Sequence, residues 1–267
     1  MKKLLGLLLS VVMVTGLLAG CGNKEEAAAE ASQSGAKTFT VGFDAEFPPY
    51  GYMDENGEYT GFDLELAQEV CNRRGWELVK QPIDWDSKDM KLSSGAIDCI
   101  WNGFTINGRE ESYTWSVPYV DNSQVFVVAK DAGIATSADL AGKNVGVQKD
   151  SSALAALEGD AADLAATFGD LIQYADYNTG FMDLEQGAID AIAIDIGVAD
   201  YQIAERGDGF VKLEEKLATE QYGIGFKLGN DALKDEVEAT LMEMVEDGTF
   251  AKIAEKYGLS DSVCLGK

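Results

Sequence analysis

The chain has 267 residues, 46 of them acidic and 21 basic, and it contains no histidine. A formal charge of −25 disfavours nucleic acid and anionic lipid surfaces as direct partners, because both would be repelled. The missing imidazoles exclude histidine-based nucleophilic triads and histidine-ligated zinc, and they predict binding that changes little between about pH 5.5 and 8.

Lys2 and Lys3 precede an apolar run from Leu4 to Leu18, which has the charge and length of a secretory signal. The run is short for a full membrane span. It ends in Leu18-Ala19-Gly20-Cys21, which resembles a bacterial lipobox, so Cys21 is the expected lipidation site and new N-terminus. Residues 1–20 are therefore expected to be a lipoprotein signal peptide, and losing its two lysines takes the formal charge from −25 to −27. Residues 21–37 are rich in Ala, Glu, Ser and Gly, without aromatic or β-branched residues, and suit a flexible tether. Beyond Cys21, the cysteines Cys71, Cys99 and Cys264 fit no metal motif and allow at most one internal bridge.

From Phe39 onward, short strands alternate with helices. Phe39 to Phe43 reads as a strand running into Asp44 to Tyr50, where Pro48 and Pro49 force an extended loop. Asn56-Gly57 signals a hairpin turn, and Asp63 is the expected N-cap of a helix closed by Gly75. A strand near Leu78 leads to Asp84-Trp85-Asp86, and a short helix near Met90 ends at Gly95. Ala96 to Ile100 then reads as a strand. It is followed by an Asn102 amide, a Gly103 backbone open to close approach, a Thr105 hydroxyl and the planar fork of Arg109.

Part of this pattern recurs. Gly95-Ala96-Ile97-Asp98-Cys99-Ile100 returns as Gly187-Ala188-Ile189-Asp190-Ala191-Ile192, and Val41-Gly42 returns as Val145-Gly146. The same order and similar offsets predict two lobes of similar α/β construction. Ligands of open α/β sheets sit beyond the carboxyl ends of strands. Four loops follow the repeated strands: Asp44 to Tyr50, Asn102 to Arg109, Gln148 to Ser152, and the residues around Asp195. Arg109 and the Ser151-Ser152 pair, which opens a helix from Ala153 to Leu157, can hold an anion. Asp195 can take an ammonium, and Phe47 and Trp85 offer flat walls, so the four loops together describe a site for a free α-amino acid. Asp44, Gln148 and their neighbours would set side-chain preference. With no second arginine in these loops, an acidic ligand is disfavoured, and a neutral polar side chain is expected slightly ahead of a basic one.

The sequence resembles the extracytoplasmic amino-acid-binding proteins of ABC importers, solute-binding family 3, which include glutamine- and lysine/arginine/ornithine-binding proteins. The resemblance runs from Thr38 to Tyr257. It is carried by Phe47-Pro48-Pro49-Tyr50, Gly61-Phe62-Asp63-Leu64, Gly95-Ala96-Ile97-Asp98, Gly103-Phe104-Thr105-Ile106, Val145-Gly146-Val147-Gln148, Gln221-Tyr222-Gly223-Ile224-Gly225 and Asp247-Gly248-Thr249-Phe250. It implies a bilobed α/β, periplasmic-binding-protein-like fold, with two lobes joined by two hinge strands and a ligand cleft between them. Lobe 1 would comprise residues 38–122 and 223–267, and lobe 2 residues 123–222. It further implies that Arg109, helped by Thr105, Ser151 and Ser152, grips the ligand carboxylate. Asp195 and a carbonyl near Gly103 would hold the ammonium, with Phe47 and Trp85 around the side chain. The segment from Thr105 to Arg109 is one residue shorter than in most members, and Gly108 is expected to supply the tighter turn that keeps the guanidinium in reach.

The expected function is a lipid-anchored extracytoplasmic receptor, monomeric, that delivers its amino acid to ABC permease subunits. No catalytic group, metal or cofactor is expected. A cyclohexadienyl dehydratase-like enzyme and a surface adhesin are the alternatives.

Overall fold

The computed structural model describes residues 36–267. The signal-peptide and Cys21 expectations, and most of the tether, lie outside the described residues. Among the described residues no helix is long and apolar enough to cross a membrane.

A nine-stranded mixed sheet organises the fold, and each half of it is built the same way. In the first half, β1 (Thr38–Phe43) lies between β5 (Glu77–Pro82) and β6 (Cys99–Thr105), all parallel. In the second, β9 (Asn144–Gln148) lies between β10 (Asp170–Tyr174) and β11 (Ala191–Asp195), again parallel. Parallel neighbours need crossover connections. These are α1 (Phe62–Arg74) and α2 (Lys88–Ser94) in the first half, and α3 (Ser152–Glu158), α4 (Ala162–Ala165) and α5 (Tyr177–Glu185) in the second. A three-stranded ribbon of β2 (Glu46–Phe47), β3 (Gly51–Met53) and β4 (Tyr59–Thr60) fills the excursion between β1 and α1.

The repeated sequence does the same structural work twice. Val41 and Gly42 pair with Cys99 and Ile100, just as Val145 and Gly146 pair with Ala191 and Ile192. Asp98 Oδ2 accepts the Thr40 N–H at 2.7 Å, and Asp190 Oδ2 accepts the Asn144 N–H at 2.9 Å. The glycines are required by packing. A Cβ on Gly42 would lie 2.4 Å from Ile97 Cδ1, and one on Gly146 would lie 2.7 Å from Ile189 Cδ1. Each repeated isoleucine thus packs over its own repeated glycine.

Two long strands join the halves. β8 (Val120–Ala129) and β12 (Phe210–Phe226) pair antiparallel at the centre of the sheet, β8 against β11 and β12 against β6. A two-residue strand, β7 (Thr114–Trp115), also pairs with β12. The helix α6 (Ile196–Arg206) follows β11, and α7 (Asp231–Glu246) and α8 (Thr249–Lys256) complete the chain. The latter pair packs back on α1, where Phe62 and Phe250 meet edge-on at 5.9 Å. This is the bilobed α/β architecture expected from the sequence.

Two local expectations change. Asp63 does not cap α1: the cap is Gly61, at φ 129°, and Asp63 is fully buried in the first turn, where it accepts the Gly103 N–H at 2.6 Å. The strand expected over Ala96 to Ile100 instead begins at Cys99 and continues to Thr105. Pairing with β12 extends it through Phe104 and Thr105, so Asn102, Gly103 and Thr105 are strand residues rather than loop residues.

Candidate ligand site

The carboxyl ends of β1, β6, β9 and β11 converge on a single narrow pocket. Its lining contains Asp44, Phe47, Trp85, Asn102, Gly103, Thr105, Arg109, Gln148, Ser151, Ser152 and Asp195, every ligand-site residue that the sequence nominated, together with Phe104. The internal repeat explains the convergence. Asp44 and Gln148 occupy the same position after β1 and in β9, and Gln148 Nε2 donates to Asp44 Oδ2 at 2.6 Å. Gly103 and Asp195 are likewise equivalent in β6 and β11.

At one end stands Arg109. The Arg109 N–H donates to the Ile106 carbonyl at 2.8 Å, closing a turn in which Gly108 adopts φ 79°, a conformation that suits glycine. The guanidinium lies 5.3 Å from the Phe104 ring and donates only to the carbonyls of Thr105 and Asp150, each at 3.3 Å. No described carboxylate pairs with it, which leaves donors for an anion. Beside it, Thr105 Oγ1 and Ser152 Oγ are 3.2 Å apart. The Ser151 hydroxyl instead caps α3 by accepting the Leu154 N–H at 3.1 Å.

Adjoining these hydroxyls, the site is acidic. Asp195, the last residue of β11, accepts from Asn122 Nδ2 at 2.8 Å, Gln124 Nε2 at 2.7 Å and the Tyr222 hydroxyl at 2.5 Å. These contacts draw its carboxylate away from α6, which therefore has no side-chain cap. Aromatic walls complete the space. Trp85 meets Phe104 edge-on at 5.4 Å, and Phe47 is held against Tyr177 at 6.1 Å. A Cβ on Gly103 would come within 3.0 Å of both the Phe47 and Tyr222 rings, so glycine is what allows the strand to approach them. An unpaired guanidinium, buried carboxylates and flat apolar walls form a combination suited to a small zwitterion.

The description of bacterial extracellular solute-binding proteins, family 3, matches residues 39–260. The chain belongs to this family. Among family-3 relatives, the L-cystine-binding protein TcyJ of Escherichia coli (strain K12) is 31% identical over 223 residues, covering 82% of each protein. A solved ABC uptake transporter substrate-binding protein from Streptococcus pneumoniae, with bound histidine, is 33% identical with a TM-score of 0.80, covering 82% of this chain and 92% of that one. An ancestral arginine-binding protein bound to glutamine is 34% identical with a TM-score of 0.76, covering 83% and 98%.

Within this family-3 site, sequence reasoning missed Phe104 and, more consequentially, Glu220. Glu220 is buried on β12 opposite Asn122, and its Oε1 accepts from Thr105 Oγ1 at 2.9 Å, Asn122 Nδ2 at 2.7 Å and Gln124 Nε2 at 2.8 Å. Its signal was hidden because Glu214, Glu215 and Glu220 together look like a solvated face. The electrostatics run counter to a flat pH response. Burial pushes Asp44 up to about 6, and burial followed by the charge of Glu220 pushes Asp195 up to about 7. The site therefore carries groups that titrate near neutrality without any histidine.

Proposed function

We propose that this family-3 protein is a monomeric, lipid-anchored extracytoplasmic receptor that closes on one free polar L-amino acid and delivers it to an ABC permease. The lobes are residues 38–122 with 223–267, and residues 123–222. Arg109, with Thr105 and Ser152, receives the α-carboxylate. Asp195 and a carbonyl near Gly103 receive the α-ammonium, and Phe47, Trp85 and Asn102 bound the rest of the space. Ser151 serves by holding the start of α3. The observation that carries this reading is the guanidinium without a carboxylate partner and the buried Asp195 lining one pocket. A buried carboxylate is costly unless a positive charge completes it, and the half-buried guanidinium offers free donors to an anion. The histidine and glutamine bound in the two solved relatives support a free amino acid as ligand.

Asp44 shifts the preferred side chain. It lines the same space, is 6% exposed, and has Gln148 rather than a cation as its side-chain partner. Beyond Asp44 and Trp85 the space adjoins a groove lined by Glu46, Asp84, Asp86 and Asp176, with Lys91 and Lys149. This supports a basic side chain ahead of a neutral polar one, the reverse of the order suggested by the sequence alone. A thermal-shift screen of the protein against the common L-amino acids and L-cystine tests the reading. The largest stabilisation is expected from arginine or lysine, followed by glutamine, amounting to about 3–4 kcal/mol at a hundred- to thousand-fold excess over Kd. A screen led by glutamate or aspartate would overturn it.

A further inference from the structure

The ammonium end of the site holds more acceptors than donors. Asp195 and Glu220 accept from the same two side-chain amides, Asn122 Nδ2 and Gln124 Nε2. Asp195 gains a third donor in the Tyr222 hydroxyl at 2.5 Å, and Glu220 gains the Thr105 hydroxyl at 2.9 Å and the Ser152 hydroxyl at 3.2 Å. No lysine or arginine lies within ion-pair distance of either carboxylate among the described residues. Turning their N–H groups to the carboxylates leaves Asn122 Oδ1 and Gln124 Oε1 buried with no donor at all. Asn122 is 4% exposed and Gln124 0%. The cluster thus lacks positive charge and hydrogen-bond donors in one place, and both deficits are met by the same kind of group.

The titratable groups facing the pair from the surrounding elements are Tyr222 on β12, Tyr50 between β2 and β3, Tyr177 at the start of α5, and Arg109 beyond Thr105 and Ser152. Burial pushes all three phenols well above their ordinary range, so they remain neutral. Arg109 forms no ion pair with either carboxylate and donates to the Thr105 and Asp150 carbonyls. None of these groups supplies the missing charge.

We propose that Asp195 and Glu220 form a two-carboxylate seat that holds one shared proton when the site is empty and exchanges it for the ammonium of the arriving amino acid. The proposal rests on the amino-acid-receptor reading of the same cavity and adds Glu220 to it. The balance is simple. The proton leaves to solvent, the ligand's α-NH3⁺ takes its place, and the net charge of the seat is unchanged. Two like charges sharing donors in a buried site do not both ionise readily. The upward push on Asp195, to about 7, agrees with this arrangement. Because the empty seat must lose its proton before ligand enters, affinity rises with pH. It changes by up to about tenfold per unit below neutrality and levels off above it.

The test is titration calorimetry on the mature protein at pH 6.5, with L-arginine and L-glutamine as probes, in buffers of different ionisation enthalpy. Glutamine has no cationic side chain to engage Asp44, so proton release on binding it reports the seat. The expected result is release of roughly half a proton or more per ligand, clearly reduced in Glu220→Gln, where burial alone still pushes Asp195 up. Binding without release, or release undiminished in Glu220→Gln, overturns the proposal while leaving the receptor reading intact. Failure of every amino acid to bind overturns both. Should Glu220→Gln fold poorly, infrared spectroscopy of the ligand-free wild type decides. Because Asp44 and Asp63 also contribute to the protonated-carboxyl band at pH 6, loss of only part of that band on adding L-glutamine to the wild type, absent in Asp195→Asn, supports the shared proton, and a spectrum unchanged by ligand contradicts it.

Discussion

Arg109 and Gly61 show two different ways in which single residues constrain this protein. Arg109 has no described carboxylate partner, and in the proposed reading it receives the ligand carboxylate. Arg109→Ala should therefore cost about 3–5 kcal/mol of binding, measured by calorimetry, with little loss of ligand-free stability. Asp195→Asn should show a loss of the same type through the ammonium. Gly61 is purely structural. Its φ is 129°, and a Cβ there would sit 2.3 Å from the Tyr50 carbonyl oxygen, a backbone atom that cannot swing aside. Gly61→Ala should destabilise by several kcal/mol in urea melts, while Gly57→Ala, also at positive φ but in open space, should cost only about 1 kcal/mol. Asp63 supplies a third case. Burial pushes its carboxyl up to about 7, from an ordinary 3.8. A carboxyl with a raised folded pKa contributes stability that is fully present below about pH 4 and lost as pH rises towards 7. Asp63→Asn should reduce that decline while still accepting the Gly103 N–H. A stability profile over this range that matched wild type would remove Asp63 from the account.

Between elements, the contacts that cross the proposed lobe boundary matter most. Lys88 opens α2 and is 1% exposed, with its ammonium paired to the Asp150 carboxylate and 5.1 Å from the Trp85 ring. Asp150, in the turn between β9 and α3, is the one non-glycine residue at positive φ among those described, at 55°. That conformation costs of order 1 kcal/mol and is retained where the surroundings require it. Asp150 also offers its carbonyl to Arg109 at 3.3 Å, so one strained residue ties α2 and the guanidinium to the second lobe. Asp150→Ala should leave Lys88 buried without a partner in the assembled site. The expected result is at least a tenfold loss of affinity by calorimetry, with a much smaller change in the melting temperature of the ligand-free protein. A variant that binds normally would show that Lys88 and Asp150 are not a latch. Much of this scale was legible beforehand, because repeated Gly-Ala-Ile-Asp and Val-Gly segments encode a glycine–isoleucine contact and an aspartate–backbone bond that only strand neighbours can make. The extent of β6 was not legible, since its continuation depends on pairing with a strand more than a hundred residues away.

At the scale of the whole molecule, the carboxyl ends of four repeated strands deliver residues from both halves of the chain to one enclosed space. Strand-end chemistry was readable because Arg109, Asp195 and the aromatic residues follow recognisable strands. Glu220 was not, because its burial follows from the cross-strand register with Asn122 rather than from any local pattern. In the proposed receptor this space recognises the free α-carboxylate and α-ammonium together. Calorimetry with the amino acid that stabilises the protein most, beside its N-acetyl and C-terminal amide forms, tests that claim most directly. The parent amino acid should bind, and each blocked form should bind at least a hundredfold more weakly, about 3 kcal/mol. Blocked forms that bound as tightly as the parent would contradict the assignment of both ends of the site.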